Sequence, residues 1–422
     1  MTTIVSSALA PDRAVPARDA LLDPDTFADA VDRFVRRRGT FAQIRAARRR
    51  RARYQVGRSL RVLHELEVDG APLLLSARTF AGDVSEIASR ARERSIATGL
   101  MPPVLPLHDL GAVAWVYPND RKIGALPELE ATVAALLRRE RMHVQLVAWA
   151  PEKSVVVRCE DEGETIAYAK AHAEEGTAVR EQRFHDHLHR RLITANGLSI
   201  PRALACGRNV VVVEAVCGTR LARVEGAAAG GAFGRYGRAL AKLHSLDGRS
   251  AVGPLARFDP ERVVAGARLI GRVRPDLAEE VLALALKLAG ARPEPGRRAL
   301  LHGDAHPKNA LDDGDRVALI DLEQLAAGDP AADIGGVLAA LRYRSVTGDL
   351  AEETAETCEQ AFLNAYAVGG MLLTTAALRW YTAAALLVER AVRAVTRVRE
   401  EGLEHLPALL RDAAGVLQGG RS

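Results

Sequence analysis

The chain of 422 residues has little cysteine, few aromatic residues and no long hydrophobic run without polar residues. Its four cysteines include no C-x-x-C pair, which argues against a zinc site or a disulfide framework and favours a reducing, cytoplasmic setting. The first 12 residues lack a basic start and a long apolar core, so no secretory signal is expected. The longest uncharged stretch, 361–378, contains two glycines and several polar residues, which favours buried helices over a membrane span.

An excess of one charge is also lacking. The chain has 58 Lys and Arg against 53 Asp and Glu, a formal net charge of +5 and a pI of about 9.1. This excess is small and dispersed, so it does not predict nucleic-acid binding. A basic cluster at 45–53 lies in a stretch, 40–53, that predicts a helix, and is interpreted as its solvated face rather than a site for an anionic partner. Apolar residues make up 48% of the chain, which predicts a packed core.

The most informative segment reads H-G-D-A-H-P-K-N at 302–309. Asp304 is followed five positions later by Asn309, and Asp321 follows an apolar run. Phosphoryl transfer needs one carboxylate to accept the proton of the attacking hydroxyl, with an Asn and a second Asp to hold the magnesium ions that neutralise the nucleotide phosphates. The intervening segment, 311–320, predicts a hairpin with an Asp-Gly turn, which would bring Asn309 and Asp321 to one metal ion.

The strings LLHGDAHPKNAL and VALIDLEQLAAGDPAADIG resemble the aminoglycoside phosphotransferase and choline kinase family. Gly303 after His302, and Leu322-Glu323 after Asp321, are typical of this small-molecule branch and depart from protein kinases. The resemblance implies an α+β, protein-kinase-like fold with two lobes, with ATP as the nucleotide substrate and Mg²⁺ as the metal. It implies a small-molecule hydroxyl acceptor, whether sugar, aminosugar, amino alcohol or antibiotic, and it does not choose among these or between ATP and GTP.

Five residues before the motif take nucleotide-binding roles by the same resemblance: Lys170, Glu181, Ser154, Glu214 and Val216. Lys170, near the end of a predicted strand, would bind the α- and β-phosphates, and Glu181 on the next helix would hold its ammonium group. Ser154 lies in the stretch that replaces a glycine-rich phosphate loop. The Glu214 carbonyl and the Val216 amide would bond the adenine.

Several residues near the motif keep two interpretations. His306 either packs the loop or contacts the substrate, and Lys308 either stabilises charge on the transferred phosphoryl group or points to water. Glu323 either holds a cationic or hydroxyl-bearing substrate or has a structural role. His302 is predicted to shape the loop through backbone bonds, and Asp333 to cap the helix that follows it.

The order of predicted elements divides the chain into four segments. These are an N-terminal helical extension at 1–55, a small-lobe-like α/β segment at 56–139, the kinase small lobe at 140–218 and a helical large lobe with the catalytic loop at 219–422. The second and third segments both read as hairpin, helix and closing strand, so the second is interpreted as a degenerate duplicate of the small lobe. An unrelated α/β extension is the alternative.

In the degenerate copy, Arg78 stands where the small lobe has Lys170. The planar guanidinium head of Arg would not simply substitute for a compact ammonium group, so this copy is not expected to bind ATP. Its expected role is structural: covering the small lobe, shaping the acceptor cleft or forming a homodimer contact.

Asp304 is therefore interpreted as the catalytic base of a phosphotransferase that uses an alcohol group as acceptor. A catalytically weak nucleotide-binding scaffold and a kinase of a protein or peptide are the alternatives. The presence of Lys170, Asp304, Asn309 and Asp321 together argues against the first. The absence of the Asp-Phe-Gly and Ala-Pro-Glu motifs argues against the second.

Overall fold

A computed structural model of the chain describes residues 8–39, 43–99, 101–192, 197–246, 248, 253–294, 296, 298–370 and 373–419. The chain divides into two compact units. The first comprises residues up to 179 together with 204–213 and 396–398, and the second comprises 180–203, 214–395 and the residues from 399 onward. Two five-stranded sheets belong to the first unit, and helices dominate the second. The predicted α+β fold class is confirmed.

The first unit begins with α1 (Arg18–Leu22) and α2 (Pro24–Arg36). Asp23 caps α2, because its carboxylate accepts a hydrogen bond from the Thr26 amide at 2.8 Å, and proline occupies the first helical position. The first sheet follows, with β1 (Ile44–Gln55), β2 (Ser59–Val68), β3 (Ala71–Thr79), β4 (Val104–Leu107) and β5 (Ala112–Val116). Its strand order is β1-β2-β3-β5-β4, and α3 (Val84–Arg92) lies between β3 and β4 in the chain.

The helix predicted at 40–53 is wrong for its described part, because residues 44–55 form β1; residues 40–42 lie outside the described residues. Arg and Ala favour helices, but β1 pairs with β2 along its length and buries Ala52 and Tyr54, and this packing overrides the local preference. The basic cluster at 45–53 therefore lies on an edge strand, where charge opposes further strand pairing.

The second sheet repeats the strand order of the first. After α4 (Leu129–Leu137), it contains β6 (His143–Ala150), β7 (Ser154–Asp161), β8 (Glu164–His172), β10 (Ala203–Cys206) and β11 (Val210–Glu214). The order is β10-β11-β8-β7-β6, so in both sheets the first three strands are neighbours and the fifth joins the third to the fourth. A helix follows the third strand in both, here α5 (Thr177–Leu192). The predicted repetition of hairpin, helix and strand is thus present in both segments.

The second unit contains short strands and most of the helices. One sheet has the order β12-β14-β15-β9, from β9 (Leu198–Ser199), β12 (Thr219–Arg220), β14 (Ala310–Asp312) and β15 (Val317–Leu319). A second pairs β13 (Ala299–Leu301) with β16 (Ala326–Gly328). The helices are α6 (Ala228–Ser245), α7 (Pro260–Val273), α8 (Ala278–Gly290), α9 (Ala331–Val346), α10 (Glu352–Val368), α11 (Thr375–Ala385), α12 (Val392–Arg397), α13 (Glu400–Glu404) and α14 (Leu406–Gln418).

The core of the second unit lies between α6, α9 and α10, where Phe233, Tyr236, Leu240 and Phe362 are almost fully buried. The uncharged stretch at 361–378 contributes the end of α10 and the start of α11. Among the described residues, none of the helices combines the length and the apolar character that crossing a membrane requires.

Candidate active site

The H-G-D segment lies in the second unit, directly after β13, and Asp333 anchors it from α9. The Asp333 carboxylate accepts hydrogen bonds from the backbone amides of His302 at 2.6 Å and Gly303 at 3.0 Å, and His244 Nε2 lies 3.1 Å from it. Burial alone would raise the pKa of Asp333. The His244 hydrogen bond, the two nearby imidazoles and the His302 amide outweigh burial and hold the pKa below its ordinary value.

The prediction that Asp333 caps the following helix is wrong, because Asp333 is the third residue of α9. Pro330 is the N-cap residue, and the preceding Asp329 accepts a hydrogen bond through Oδ1 from the Ala331 amide at 2.9 Å. The Asp333 carboxylate points to the loop amides, which explains why a helix residue in this position matters to the loop.

Gly303 is required by space as well as by backbone conformation. Its φ is 77°, and a Cβ built on it would lie 1.8 Å from the Gln324 carbonyl oxygen. Real Cβ atoms do not approach backbone so closely, so a side chain here would displace either the loop or the segment after Asp321.

Gly303→Ala is therefore expected to lower the free energy of unfolding by about 3 kcal/mol or more and to remove activity. Gly314→Ala is the matched control, because its φ of 99° is also positive but nothing lies within 4 Å of its Cβ position. That variant should lose only about 1–2 kcal/mol. Denaturant unfolding measures both, and similar losses in the two variants would contradict the close approach at Gly303.

His302 ties the loop to the strand end that precedes Asp321. Its Nε2 donates to the Ile320 carbonyl at 3.0 Å, and its Nδ1 accepts from the Asp304 amide at 3.4 Å. The predicted structural role of His302 is confirmed.

The predicted hairpin is confirmed, and it places Asn309 and Asp321 at neighbouring strand ends. Ala310 pairs with Leu319, and the Ile320 amide donates to the Asn309 carbonyl at 3.0 Å. Asp321 follows immediately with a left-handed φ of 63°, a conformation that non-glycine residues adopt mainly where the surroundings enforce it.

Asp304 and Asn309 are directly bonded. The Asn309 side-chain amide donates to the Asp304 carbonyl at 3.0 Å and to its carboxylate Oδ2 at 3.2 Å. Because the amide nitrogen is committed in this way, the amide oxygen of Asn309 is the atom that can serve a cation. An amide oxygen beside a carboxylate is the donor set that a hard divalent cation such as Mg²⁺ prefers, so Asn309 and Asp321 fit the predicted metal role.

Two arginines flank Asp304, and sequence reasoning missed both. Arg257 Nη1 and Arg393 Nη1 each lie 3.6 Å from Asp304 Oδ1. Arg257 also binds Glu389 closely, and Arg393 reaches the same carboxylate at 4.0 Å. Glu389 belongs to a π-helical segment, Leu386–Ala391, which joins α11 to α12. Arginines so far from the motif in sequence carry no pattern that would assign them.

Buried Arg390 adds to this cluster. It lies 3.8 Å from Glu389 and donates to the Gly336 carbonyl at 3.0 Å. Burial would raise the pKa of Asp304, but the charges of Arg393, Arg257 and Lys308 outweigh it and hold that pKa well below its ordinary value. Asp304 is therefore an ionised carboxylate.

The three residues with open roles lie around this loop. His306 Nδ1 accepts from the Lys308 amide at 3.2 Å, which caps the short turn leading to Asn309. Desolvation, followed by the charges of Arg390 and Lys308, holds the pKa of His306 well below its ordinary value. Lys308 and Glu323 are partly exposed, and Glu323 lies in the turn after Asp321. Their substrate contacts remain predictions.

The predicted nucleotide residues lie on the expected elements. Lys170 in the first unit pairs with Val156 of β7, on the face of β8 opposite the buried alanines, and Ser154 is the buried first residue of β7. Glu181 is buried on α5. The Glu214 carboxylate accepts from Arg202 at 2.9 Å, at the end of β11 and just before Val216. The nucleotide contacts of all five remain predictions.

Comparison with known proteins gives one family. Residues 153–381 match the family model described as the phosphotransferase enzyme family. Comparison with curated protein sequences gives no match.

Several solved structures to which this chain is similar are phosphotransferases. A thermostable mutant of aminoglycoside phosphotransferase APH(4)-Ia, in a ternary complex with ADP and hygromycin B, covers 70% of this chain and 99% of its own, with 15% identity and a TM-score of 0.50. A macrolide 2'-phosphotransferase from Brachybacterium faecium covers 71% and 99%, with 18% identity and a TM-score of 0.43. An aminoglycoside phosphotransferase from Streptomyces rimosus covers 67% and 98%, with 19% identity and a TM-score of 0.42. The first of these supports a shared fold.

Proposed function

The chain belongs to the phosphotransferase enzyme family, and from this premise we propose that it transfers the γ-phosphate of ATP to a hydroxyl group of a small molecule with the help of Mg²⁺. The observation that carries the proposal is the bonded pair Asp304 and Asn309 beside Asp321, on one loop and hairpin. Asp304 would accept the proton of the attacking hydroxyl, and Asn309 and Asp321 would hold the metal. Bound Mg²⁺ would supply positive charge against the nucleotide phosphates.

The low pKa of Asp304 suits this role. The transition state of phosphoryl transfer is loose, so the base mainly aligns the hydroxyl group and need not be strong. Arg257 and Arg393 hold the Asp304 carboxylate from one side, while the Asn309 amide holds it from the other. The carboxylate is thus fixed before an acceptor arrives, which is the geometric requirement for alignment.

The other proposed roles follow the family resemblance. Lys170 would bind the nucleotide phosphates with Glu181 as its partner, Ser154 would contact the phosphates, and Glu214 and Val216 would bond the adenine through the backbone. We propose a cytoplasmic setting, which suits the four free cysteines. The four-segment division at 55, 139 and 218 is likewise a proposal, with β1 now assigned to the first sheet.

The charges around Asp304 favour a neutral or negatively charged acceptor. Arg257, Arg390, Arg393 and Lys308 are positive, and Glu389 is the carboxylate that the three arginines share. With Asp304 itself counted, four positive charges face two negative ones in this cluster, an excess of two. A polycationic aminosugar would meet net positive charge next to the reacting hydroxyl, and like charges brought together in a partly buried site are unfavourable. A sugar, or a sugar acid, would not meet this repulsion.

The experiment is ADP release with matched acceptors: a neutral sugar, its carboxylic acid and its amino derivative. We expect the neutral or acidic acceptor to have a kcat/KM at least about tenfold above the amino derivative, which corresponds to about 1.4 kcal/mol. Arg393→Ala removes one positive charge, so it should reduce the preference in kcat/KM for the neutral or acidic acceptor over the amino derivative. A preference for the amino derivative would refute the charge argument. Tight ATP binding without acceptor-stimulated ADP release from any of them would favour the scaffold alternative.

A further inference from the structure

The turn between β6 and β7, residues 151–153, carries a carboxylate that is buried within the first unit. The side chain of Glu152 is only 4% exposed, and its φ is 59°. A left-handed backbone and a buried charge at the tip of a hairpin both cost free energy, so their surroundings must compensate. This turn stands where kinases carry the loop that covers the nucleotide phosphates.

Three guanidinium groups surround the Glu152 carboxylate. Arg78 Nη1 lies 2.5 Å from Oε2, Arg61 Nη1 lies 3.5 Å from the same oxygen, and Arg121 Nε lies 3.7 Å from Oε1. Arg78 and Arg61 are directly opposed on β3 and β2 of the first sheet, and Arg121 follows β5. The Arg78 contact is a charge-assisted hydrogen bond, one of the strongest that side chains make, and the other two arginines add ion pairs at longer distance.

The backbone of the turn is held from the same side. Arg61 Nη1 donates to the Pro151 carbonyl at 2.6 Å. Asp120 Oδ2 accepts from the Glu152 amide and from the Trp149 indole nitrogen, both at 3.0 Å. The first sheet and the segment after it therefore fix both the side chain and the main chain of this turn.

Arg78 occupies the position in β3 that corresponds to Lys170 in β8, the lysine predicted to bind phosphates. β3 and β8 are the third strands of two sheets with one order, and Arg78 stands where β8 has Lys170. The cation of the first sheet binds a carboxylate of the adjoining turn. At the position where the second sheet has a lysine predicted to bind phosphates, the first sheet thus has an arginine that binds a protein side chain.

We propose that the first sheet acts as a brace for the β6–β7 turn, with Glu152 as a positioning residue for nucleotide phosphates and Arg78 as its principal anchor. The proposal rests on the nucleotide-dependent function given above. Glu152 does not touch the nucleotide; it fixes the turn whose backbone would cover the phosphates. Small displacements of positioning groups have large effects on phosphoryl transfer, so a loosened turn weakens nucleotide binding without changing the acceptor site.

The test compares Arg78→Ala, Arg78→Lys and Glu152→Gln with Arg158→Ala. Arg158 provides the matched control, because it forms an ion pair of 2.6 Å with Glu160 on β7 of the same unit, away from the turn. We expect Arg78→Ala and Glu152→Gln to raise the KM and Kd for ATP by about tenfold each, with the KM for the acceptor unchanged. The double variant should be no worse than the poorer single variant, because both substitutions remove the same Arg78–Glu152 ion pair. Arg78→Lys should restore part of the affinity.

Amide hydrogen exchange of residues 151–154 gives a readout that does not depend on nucleotide. Exchange should accelerate in Arg78→Ala and Glu152→Gln and stay at the wild-type rate in Arg158→Ala. Unchanged exchange would overturn the brace. Faster exchange with wild-type ATP affinity would overturn its role in positioning. A wild-type protein that neither binds ATP nor releases ADP would refute the proposed function instead, and with it the nucleotide role of the turn. The conservative Glu152→Gln and Arg78→Lys variants keep the test open if Arg78→Ala does not fold.

Discussion

Replacing Asp304 by Asn is expected to lower kcat for phosphoryl transfer by about a hundredfold or more while the affinity for Mg-ATP stays within about twofold. The amide keeps the shape of the carboxylate but cannot accept the proton of the attacking hydroxyl. Arg257 and Arg393 would keep Glu389 as a shared partner, so the variant should remain folded. Steady-state kinetics and calorimetry measure the two quantities separately.

The control for this variant is Asp315→Asn, an exposed carboxylate of the same hairpin. It should keep wild-type turnover.

The lowered pKa of Asp304 leads to a second expectation, on the pH dependence of kcat. The group stays ionised as pH falls, so protonation of Asp304 should cause no loss of kcat between pH 8 and about pH 5. A turnover above about a tenth of wild type in Asp304→Asn would mean that another group serves as base.

Replacing Asp321 by Asn is expected to remove the difference between the affinities for Mg-ATP and for ATP without metal. Mutating even an outer partner of a metal ligand typically costs about ten- to a hundredfold in metal affinity, and a direct ligand should cost at least as much. Asn suits this test because it tolerates the left-handed backbone at this position, where φ is 63°.

Titration calorimetry with and without a chelator measures this difference. Asp321→Ala should lose it equally, with some added strain from the left-handed backbone. Asp315→Ala, in the same hairpin, should keep the wild-type dependence on magnesium. A magnesium dependence that persists in both Asp321 variants would remove Asp321 from the metal site.

The loop and hairpin were predictable because their signals are local. The Asp-Gly turn between two short apolar runs predicts the hairpin, and the hairpin alone places Asn309 next to Asp321. His302 bonds to the Ile320 carbonyl, as the role of a loop-shaping residue requires. In each case a few adjacent residues specify the geometry, so no knowledge of distant packing is needed.

The wrong and missed predictions concern residues whose conformation or contacts depend on partners distant in the sequence. The Arg- and Ala-rich residues of β1 have local helix propensity, but the edge of the first sheet offers them a partner strand. Asp333 looked like a cap because it precedes an apolar helix. Its actual bonds go to His302 and Gly303, about thirty residues earlier in the chain. Arg257 and Arg393 reach Asp304 from opposite directions in sequence, and no spacing rule connects them.

The repetition of hairpin, helix and closing strand was visible in the sequence, whereas the full order of five strands and the brace were not. Hydrophobic pattern and turn residues mark the hairpin and the closing strand of each copy. The contact of Arg78 with Glu152 depends on how one sheet meets the turn of the next, and the sequence around either residue does not report it. An arginine in place of a lysine suggested a lost function, and the structure adds a partner for it.

The π-helical segment between α11 and α12 determines the directions in which the side chains of α12 point from the helix axis. Each turn of a π-helix holds more residues than a turn of an α-helix, so every residue from Leu386 to Ala391 advances by a smaller angle. The azimuth of Arg393 about the helix axis is therefore set by the widened turn before it. A segment of the same length that wound as an ordinary α-helix would turn further about the axis, and its arginine would then face a different direction. The widened turn therefore keeps the Arg393 side chain directed at Asp304.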